Sequence, residues 1–250
     1  MYNKVSIVIP VYNEQNIIFE SITKLIHWRN KNNLGFEIII IDDGSSDDTY
    51  KILLSFNKKI KLIKQKHSGQ FTAIIKGIKR SKKDLVIVME SDLSINYNII
   101  KTLMITKKKT GADIVTVSRN HKKSINYNKP FYRKILSFFN IIIFNFFFKT
   151  KLTDPQVSVK IYDRETFINL SKKLISPNDG MKSTEILLYY LTNNMKIVEI
   201  PAIYHNRNTS QNVSLSNIVK VSISCLVSLF LIWKEIKNKD RIGLLKTNLI

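Results

Sequence analysis

The sequence predicts an α/β fold with a mostly parallel sheet, and three observations carry that prediction. Short apolar runs rich in Val and Ile recur through the first 118 residues, a polar turn follows most of them, and helical spacing fills the intervals between them. Runs of that length without polar alternation mark strands covered on both faces, as in parallel sheets flanked by helices.

The strands expected in order are Val5 to Pro10, Phe36 to Ile41, Ile60 to Gln65, Leu85 to Met89 and Asp113 to Ser118. Together with the helices between them they make a Rossmann-like half. Ligands of such sheets gather beyond the carboxyl ends of the strands. Tyr12, Asn13 and Glu14 follow the first run, Asp42 and Asp43 the second, and Glu90 and Asp92 the fourth, so three strand ends aim at one crevice. The turn of Gly44, Ser45, Ser46 and Asp47 also has a structural use, because these residues favour tight turns and helix caps.

Past Arg119 the texture changes. Residues 122–134 are basic, and Ile135 to Phe148 is almost wholly apolar and aromatic. Its fourteen residues fall short of the about 20 that a membrane-crossing helix needs. Flanking Arg133, Lys134, Lys149 and Lys151 suit a helix lying at a membrane surface; an ordinary buried helix is the alternative. The α/β texture then returns with a strand near Val157 to Tyr162, a helix from about Lys182 to Leu191 and a strand through Ile197 to Tyr204. The final apolar section, Leu215 to Trp233, has Lys220 as its only charge and is diluted by serines, which favours an interfacial or juxtamembrane helix over a span. The expected organisation is a catalytic domain over residues 1–212, including the basic and apolar segment 120–150, and a C-terminal helix over 213–250.

Composition narrows the partners without choosing one. Forty basic residues against 19 acidic ones give a formal charge of +21, which favours partners that carry phosphate. Nucleic acid, anionic lipid and nucleotide all fit. The single cysteine, Cys225, excludes an internal disulfide. The chain opens directly on an apolar strand without a basic region and signal-peptide core, so the expected location is the cytoplasmic face of a membrane.

Glu90 and Asp92, one residue apart just past the fourth strand, are suited to hold a divalent cation such as Mg2+ or Mn2+ shared with phosphate oxygens. Ser94 adds an oxygen or orients a water. The stretch Val5 to Glu14, the turn Ile41 to Asp47 and the segment Met89 to Leu93, in that order and spacing, resemble glycosyltransferase family 2 with its GT-A fold. Downstream, Val117 to Arg119, Arg133, Ser137, Asp154, Glu185, Val198 to Pro201 and Arg207 resemble its polyprenyl-phosphate branch, the dolichol-phosphate mannosyltransferases and their bacterial relatives.

The resemblance implies inverting transfer of a mannose- or glucose-type sugar from a nucleotide-sugar donor to a polyprenyl (dolichol-like) phosphate at the membrane surface, with Mg2+ or Mn2+. Nucleic acid is not expected as a partner. Pro10, Tyr12, Glu14, Asp42 and Asp43 would line the nucleotide pocket, and Arg207 would close over the donor phosphates. Arg119, Arg133 and Ser137 would bind the acceptor phosphate. Glu90, Asp92 and Ser94 would hold the metal, with Asp92 and Arg119 central to catalysis. The chain departs from the family pattern at Glu90, where the first aspartate of Asp-x-Asp is usual, at His67 to Gln70 in place of a glycine-rich segment, and at Asn208 to Gln211 in place of Gly-x-Ser-Lys. Two rival readings stay open: a glycan hydroxyl as acceptor, which would require Asp154 or Glu185 as base, and a non-catalytic basic membrane or nucleic-acid binding module.

Overall fold

The computed structural model describes residues 4–92, 94–127, 131–205 and 215–240, with the side chains of 131–136, 140, 215–219, 221–222 and 238–240 outside the description. Its first half alternates strand and helix as expected: β1 (Val5–Val11), α1 (Ile18–Lys31), β2 (Glu37–Asp42), α2 (Thr49–Leu54), β3 (Lys61–Lys64), α3 (Gln70–Arg80), β4 (Leu85–Val88), α4 (Asn98–Thr110) and β5 (Ile114–Ser118). The second half adds β6 (Ile125–Tyr127), α5 (Phe131–Phe148), β7 (Lys160–Asp163), α6 (Arg164–Ser171), α7 (Asp179–Thr192), β8 (Ile197–Pro201), β9 (Ile203–His205) and α8 (Leu215–Asp240).

Seven strands form one sheet in the order β3-β2-β1-β4-β7-β5-β8, parallel except for β7, which runs antiparallel to both neighbours. Every residue of β1 is buried, which explains its lack of polar alternation. Its side chains nonetheless divide by parity. Ile7, Ile9 and Val11 join the core that α1 and α4 cover, while Val8 joins the opposite core beneath α3 and α7. At Gly77 of α3 a Cβ would stand 2.4 Å from Val8 Cγ1, so this glycine sets how closely α3 approaches the sheet. The strand order reverses direction between β1 and β4, and a crevice at the carboxyl ends follows from that reversal.

Two expectations in the second half need correction. The strand through Ile197 to Tyr204 is two strands: β8 joins the large sheet, whereas β9 pairs with β6 in a separate two-stranded ribbon. Pro201 lacks the N–H that would continue the ladder, and beyond it Tyr204 bridges to Ile95 while His205 N donates to the Ser94 carbonyl oxygen at 2.8 Å. The strand near Val157 to Tyr162 starts only at Lys160, since the loop before it carries Asp154 to Val157.

The two apolar helices are each divided between core and surface. On α5, Phe144 is 2% exposed and packs beneath α7 and α8, whereas Phe146 is 80% exposed and Phe138, Phe139 and Ile142 are also exposed. On α8, Leu229, Ile232 and Ile236 are buried while Ile223, Leu226, Val227 and Phe230 face outward at helical spacing. Among the described residues no helix is long and apolar enough to cross a membrane.

Candidate active site at the carboxyl end of the sheet

The loops after β1 and β2 are knitted into one wall. Asn13 adopts a left-handed φ of 52° and its Oδ1 accepts from Ser46 N at 2.9 Å, while Asn13 N donates to Ser45 Oγ at 3.0 Å. Glu14 N donates to Thr49 Oγ1 at 2.8 Å. Gly44 permits this packing, because at its φ of +76° a Cβ would lie 2.5 Å from His67 N. Pro10, the penultimate residue of β1, stands opposite Ile41 in the sheet and delivers Tyr12 to the rim, where its ring stacks on His67 with centroids 4.2 Å apart.

Asp42 and Asp43 are both buried but differ in use. Asp43 Oδ1 accepts from Gln65 Nε2 at 2.6 Å and Ser68 N at 2.9 Å, and its Oδ2 accepts from Gly69 N at 2.9 Å beside His67 Nδ1. Asp43 thus holds the segment that replaces the family's glycine-rich loop. Asp42 Oδ1 is buried with no partner among the described residues, and a buried acceptor in that state calls for a donor from elsewhere.

Glu90 and Asp92 leave β4 side by side. Ser94 N donates to Asp92 Oδ1 at 3.0 Å, and Ser94 Oγ donates to Glu90 Oε2 at 2.9 Å. Ser94 therefore braces both carboxylates. The Tyr204 hydroxyl donates to the same Glu90 oxygen. Burial, reinforced by the neighbouring charge of Asp92, holds the Glu90 carboxyl above its ordinary pKa. Two carboxylates that repel each other in a partly buried site fit a divalent cation, which would relieve both effects. Among the described residues no set of three His, Cys, Asp or Glu side chains converges to hold a metal.

Arg119 lies alongside. Its Nε and Nη2 grip Asp154 Oδ2 and Oδ1 at 2.7 and 2.8 Å, and its backbone N donates to the same carboxylate at 3.0 Å. Burial alone would lower the guanidinium pKa, but the bonds and charge of Asp154 outweigh that and raise it. The guanidinium sits 5.8 Å over the Tyr204 ring, which links it to the Glu90 cluster. Glu199 of β8 supports the arrangement by accepting from Thr153 N at 2.9 Å and Asp154 N at 3.0 Å. Sequence reasoning passed over Tyr204 and Glu199. Their only signal was their place in and just after the segment Val198 to Pro201.

Ser137 of α5 lines a small cavity of about 20 Å3 together with Asp154, Pro155, Gln156, Met181, Thr184 and apolar residues of α5 and α8. The fold thus places Ser137 and Asp154 on one cavity wall. Arg133 stands one turn earlier on α5 with its side chain outside the description, and Arg207 lies outside the described residues. Glu185 is occupied elsewhere: Oε1 and Oε2 accept from Ile175 N and Ser176 N at 2.8 and 2.9 Å.

Comparison with known proteins agrees with this fold. Residues 6–170 match the model of glycosyl transferase family 2. A dolichol-phosphate mannosyltransferase of Pyrococcus furiosus is 35% identical over 137 residues, which is 54% of this chain and 38% of that protein. An undecaprenyl-phosphate 4-deoxy-4-formamido-L-arabinose transferase of Proteus mirabilis is 33% identical over 132 residues, 51% of this chain and 40% of that protein. The chain thus spans about two-fifths of the length of these curated relatives. Among solved structures, glucosyl-3-phosphoglycerate synthase from Mycobacterium tuberculosis, in complex with Mn2+, uridine-diphosphate-glucose and phosphoglyceric acid, superposes with a TM-score of 0.67 over 92% of this chain and 80% of that one, at 15% identity. At that identity the likeness speaks for the fold, a GT-A arrangement. By its family match, its sheet order and its paired carboxylates after β4, the chain belongs to glycosyl transferase family 2.

Proposed function

We propose that this chain is an inverting transferase that moves a sugar from a nucleotide donor to a polyprenyl phosphate at a membrane surface. The observation that carries the acceptor class is the state of the two carboxylates a hydroxyl acceptor would call on. Asp154 has both oxygens on Arg119, and Glu185 has both on backbone amides. Asp154 is thus turned to Arg119 and Glu185 to the backbone before α7, which leaves neither presented to an acceptor hydroxyl as a base. A phosphate monoester needs no base, since its second ionisation lies near pKa ~6 and the attacking oxygen is already anionic at neutral pH.

In this reading Tyr12 offers a ring face to the base, and the orphaned Asp42 Oδ1 accepts one of its N–H groups. Glu90 and Asp92 would hold a Mg2+ or Mn2+ ion, which when bound supplies positive charge to the departing diphosphate. Arg119, kept rigid by Asp154, orients the acceptor phosphate against the anomeric carbon together with Ser137 and Arg133, and Arg207 closes over the donor. The protein's contribution is positioning and electrostatics. Direct displacement by the phosphate oxygen inverts the anomeric centre.

The membrane surface is supported by the outward residues of α5 and α8, an apolar face of Phe138, Phe139, Ile142 and Phe146 beside Ile223, Leu226 and Phe230. Lys149, Lys234 and Lys237 stand near one end of it, suited to anionic headgroups. The names of the curated relatives, two transferases acting on polyprenyl phosphates, agree with this reading. The test is incubation of the protein and membranes with a panel of labelled nucleotide sugars, followed by lipid extraction. Label in an acid-labile lipid phosphate is expected; label confined to glycan would transfer the assignment to a hydroxyl acceptor.

A further inference from the structure

Lys160 is the first residue of β7 and has no exposed surface. It stands opposite Val88 of β4 on one side and Thr116 of β5 on the other. Glu90 and Arg119 emerge just beyond those two residues, so Lys160 lies directly beneath the point where both leave the sheet. Its ammonium donates to the Val157 carbonyl oxygen and to Ser183 Oγ, the latter at 3.1 Å. Among the described residues no carboxylate is within ion-pair distance of it. A buried ammonium without an ion pair costs several kcal/mol of lost hydration, whereas a glutamine or methionine would anchor or fill the same place without that cost.

The cavity explains why a charge is useful there. Val157 and Ser183 adjoin Gln156 and Thr184, which with Ser137 and Asp154 line the cavity between α5, α7 and α8. Arg119 reaches this cavity only through Asp154, which lines it, and the two-point bond to Asp154 largely neutralises its charge. A phosphate monoester brings a charge of about −1.5 to −2, which the nearly neutral Arg119–Asp154 pair and the single charge assigned to Arg133 do not fully balance. We propose that Lys160 is a positioning residue that supplies the missing positive charge from beneath the acceptor-phosphate pocket. The inference rests on the polyprenyl-phosphate reading and adds a residue to it.

The charged groups around Lys160 are Asp154, Glu90 and Glu199, which favour its ammonium form, and Arg119, which opposes it; α7 presents the neutral Ser183. Burial is the strongest influence and brings the Lys160 pKa down to about 7. The charge is therefore full below that pH and lost above it. Acceptor binding weakens as pH rises through 7, against the trend expected from the phosphate, which only gains charge there.

The experiment measures transfer from the nucleotide sugar to a short-chain polyprenyl phosphate in detergent from about pH 6 to about pH 8.5. Donor and acceptor KM are determined separately for the wild type, Lys160→Gln and Lys160→Met. In the wild type the acceptor KM is expected to rise about tenfold across that range; in both variants it should be high and flat with pH, by about tenfold relative to the wild type at the acid end. Donor KM should stay within about twofold. Lys160→Gln keeps a hydrogen-bond donor for Val157 or Ser183, so it decides the matter if Lys160→Met does not fold. A wild-type acceptor KM and pH profile in Lys160→Gln would overturn the proposal, as would equal losses in donor and acceptor KM. If the wild type itself transfers to no lipid phosphate, the acceptor reading fails and Lys160 falls with it.

Discussion

Tyr204 donates its hydroxyl to Glu90 Oε2 across 114 residues of chain, and Ser94 donates to the same oxygen. The carboxylate that departs from the family's aspartate is thus gripped on one oxygen, leaving Oε1 for a cation. A longer side chain needs such a brace to present its free oxygen at a fixed place. Tyr204→Phe removes the brace without opening a cavity. A hydrogen bond to a charged group contributes about 1.5–3 kcal/mol, so transfer is expected to fall about tenfold or more, with the half-saturating metal concentration raised. Unchanged metal dependence would reduce Tyr204 to a packing role.

The Glu90 and Asp92 pair separates activity from stability. Asp92→Asn retains an oxygen for Ser94 N, so the fold should persist while transfer is lost, and excess chelator should abolish wild-type transfer. Because burial and Asp92 hold the Glu90 carboxyl above its ordinary pKa, its stabilising contribution is present below the unfolded-state pKa and disappears as pH rises through the folded one. Glu90→Gln, still able to accept from Tyr204, should therefore raise the melting temperature of the metal-free protein at neutral pH and leave it unchanged in acid. A lower melting temperature at pH 7 contradicts the assignment.

Arg119 and Asp154 act as a unit, since the carboxylate is buried and bonded at two points. Asp154→Asn leaves a partly buried guanidinium without its counter-charge and should cost about 3 kcal/mol of unfolding free energy, read by urea titration. Arg119→Ala should raise the acceptor KM far more than the donor KM. Loss of nucleotide affinity with normal use of lipid phosphate would place Arg119 in the other subsite.

The exposed face of α5 and α8 makes a vesicle test specific. Phe138, Phe139 and Phe146 are exposed, whereas Phe147 packs edge-on against Trp233 and Phe148 touches Phe144 of the core. Replacing Phe138, Phe139 and Phe146 with Ser should reduce binding to anionic vesicles and lipid glycosylation together, and spare the melting temperature. Burying even a few methylenes at about 0.8 kcal/mol each rivals the about 1 kcal/mol from each nearby lysine, so high salt should release the wild type only in part. Undiminished vesicle binding by the triple variant would remove this face from the membrane contact.

The parallel half and the location of its crevice were legible in the residues alone. Buried strands such as Val5–Val11 carry their environment in unbroken apolar runs, and the polar residues after them mark the open ends of the sheet. Glu90, Asp92 and Asp42 could be named for the same reason, each at or just past the end of a strand, whereas Arg119 was named only through the family resemblance. What came from tertiary structure was the use of each group. That Asp43 is occupied by the His67 to Gly69 loop while Asp42 keeps a bare oxygen depends on contacts more than 20 residues away in sequence. Tyr204 reaches Glu90 only because the chain breaks after Pro201 into a second ribbon, and Lys160 reads as an ordinary strand residue until β4 and β5 close over it. Apolar periodicity is local and survives in the linear sequence, whereas the partner of a polar atom and the solvation of a charge are set by whichever distant segment the fold lays against it.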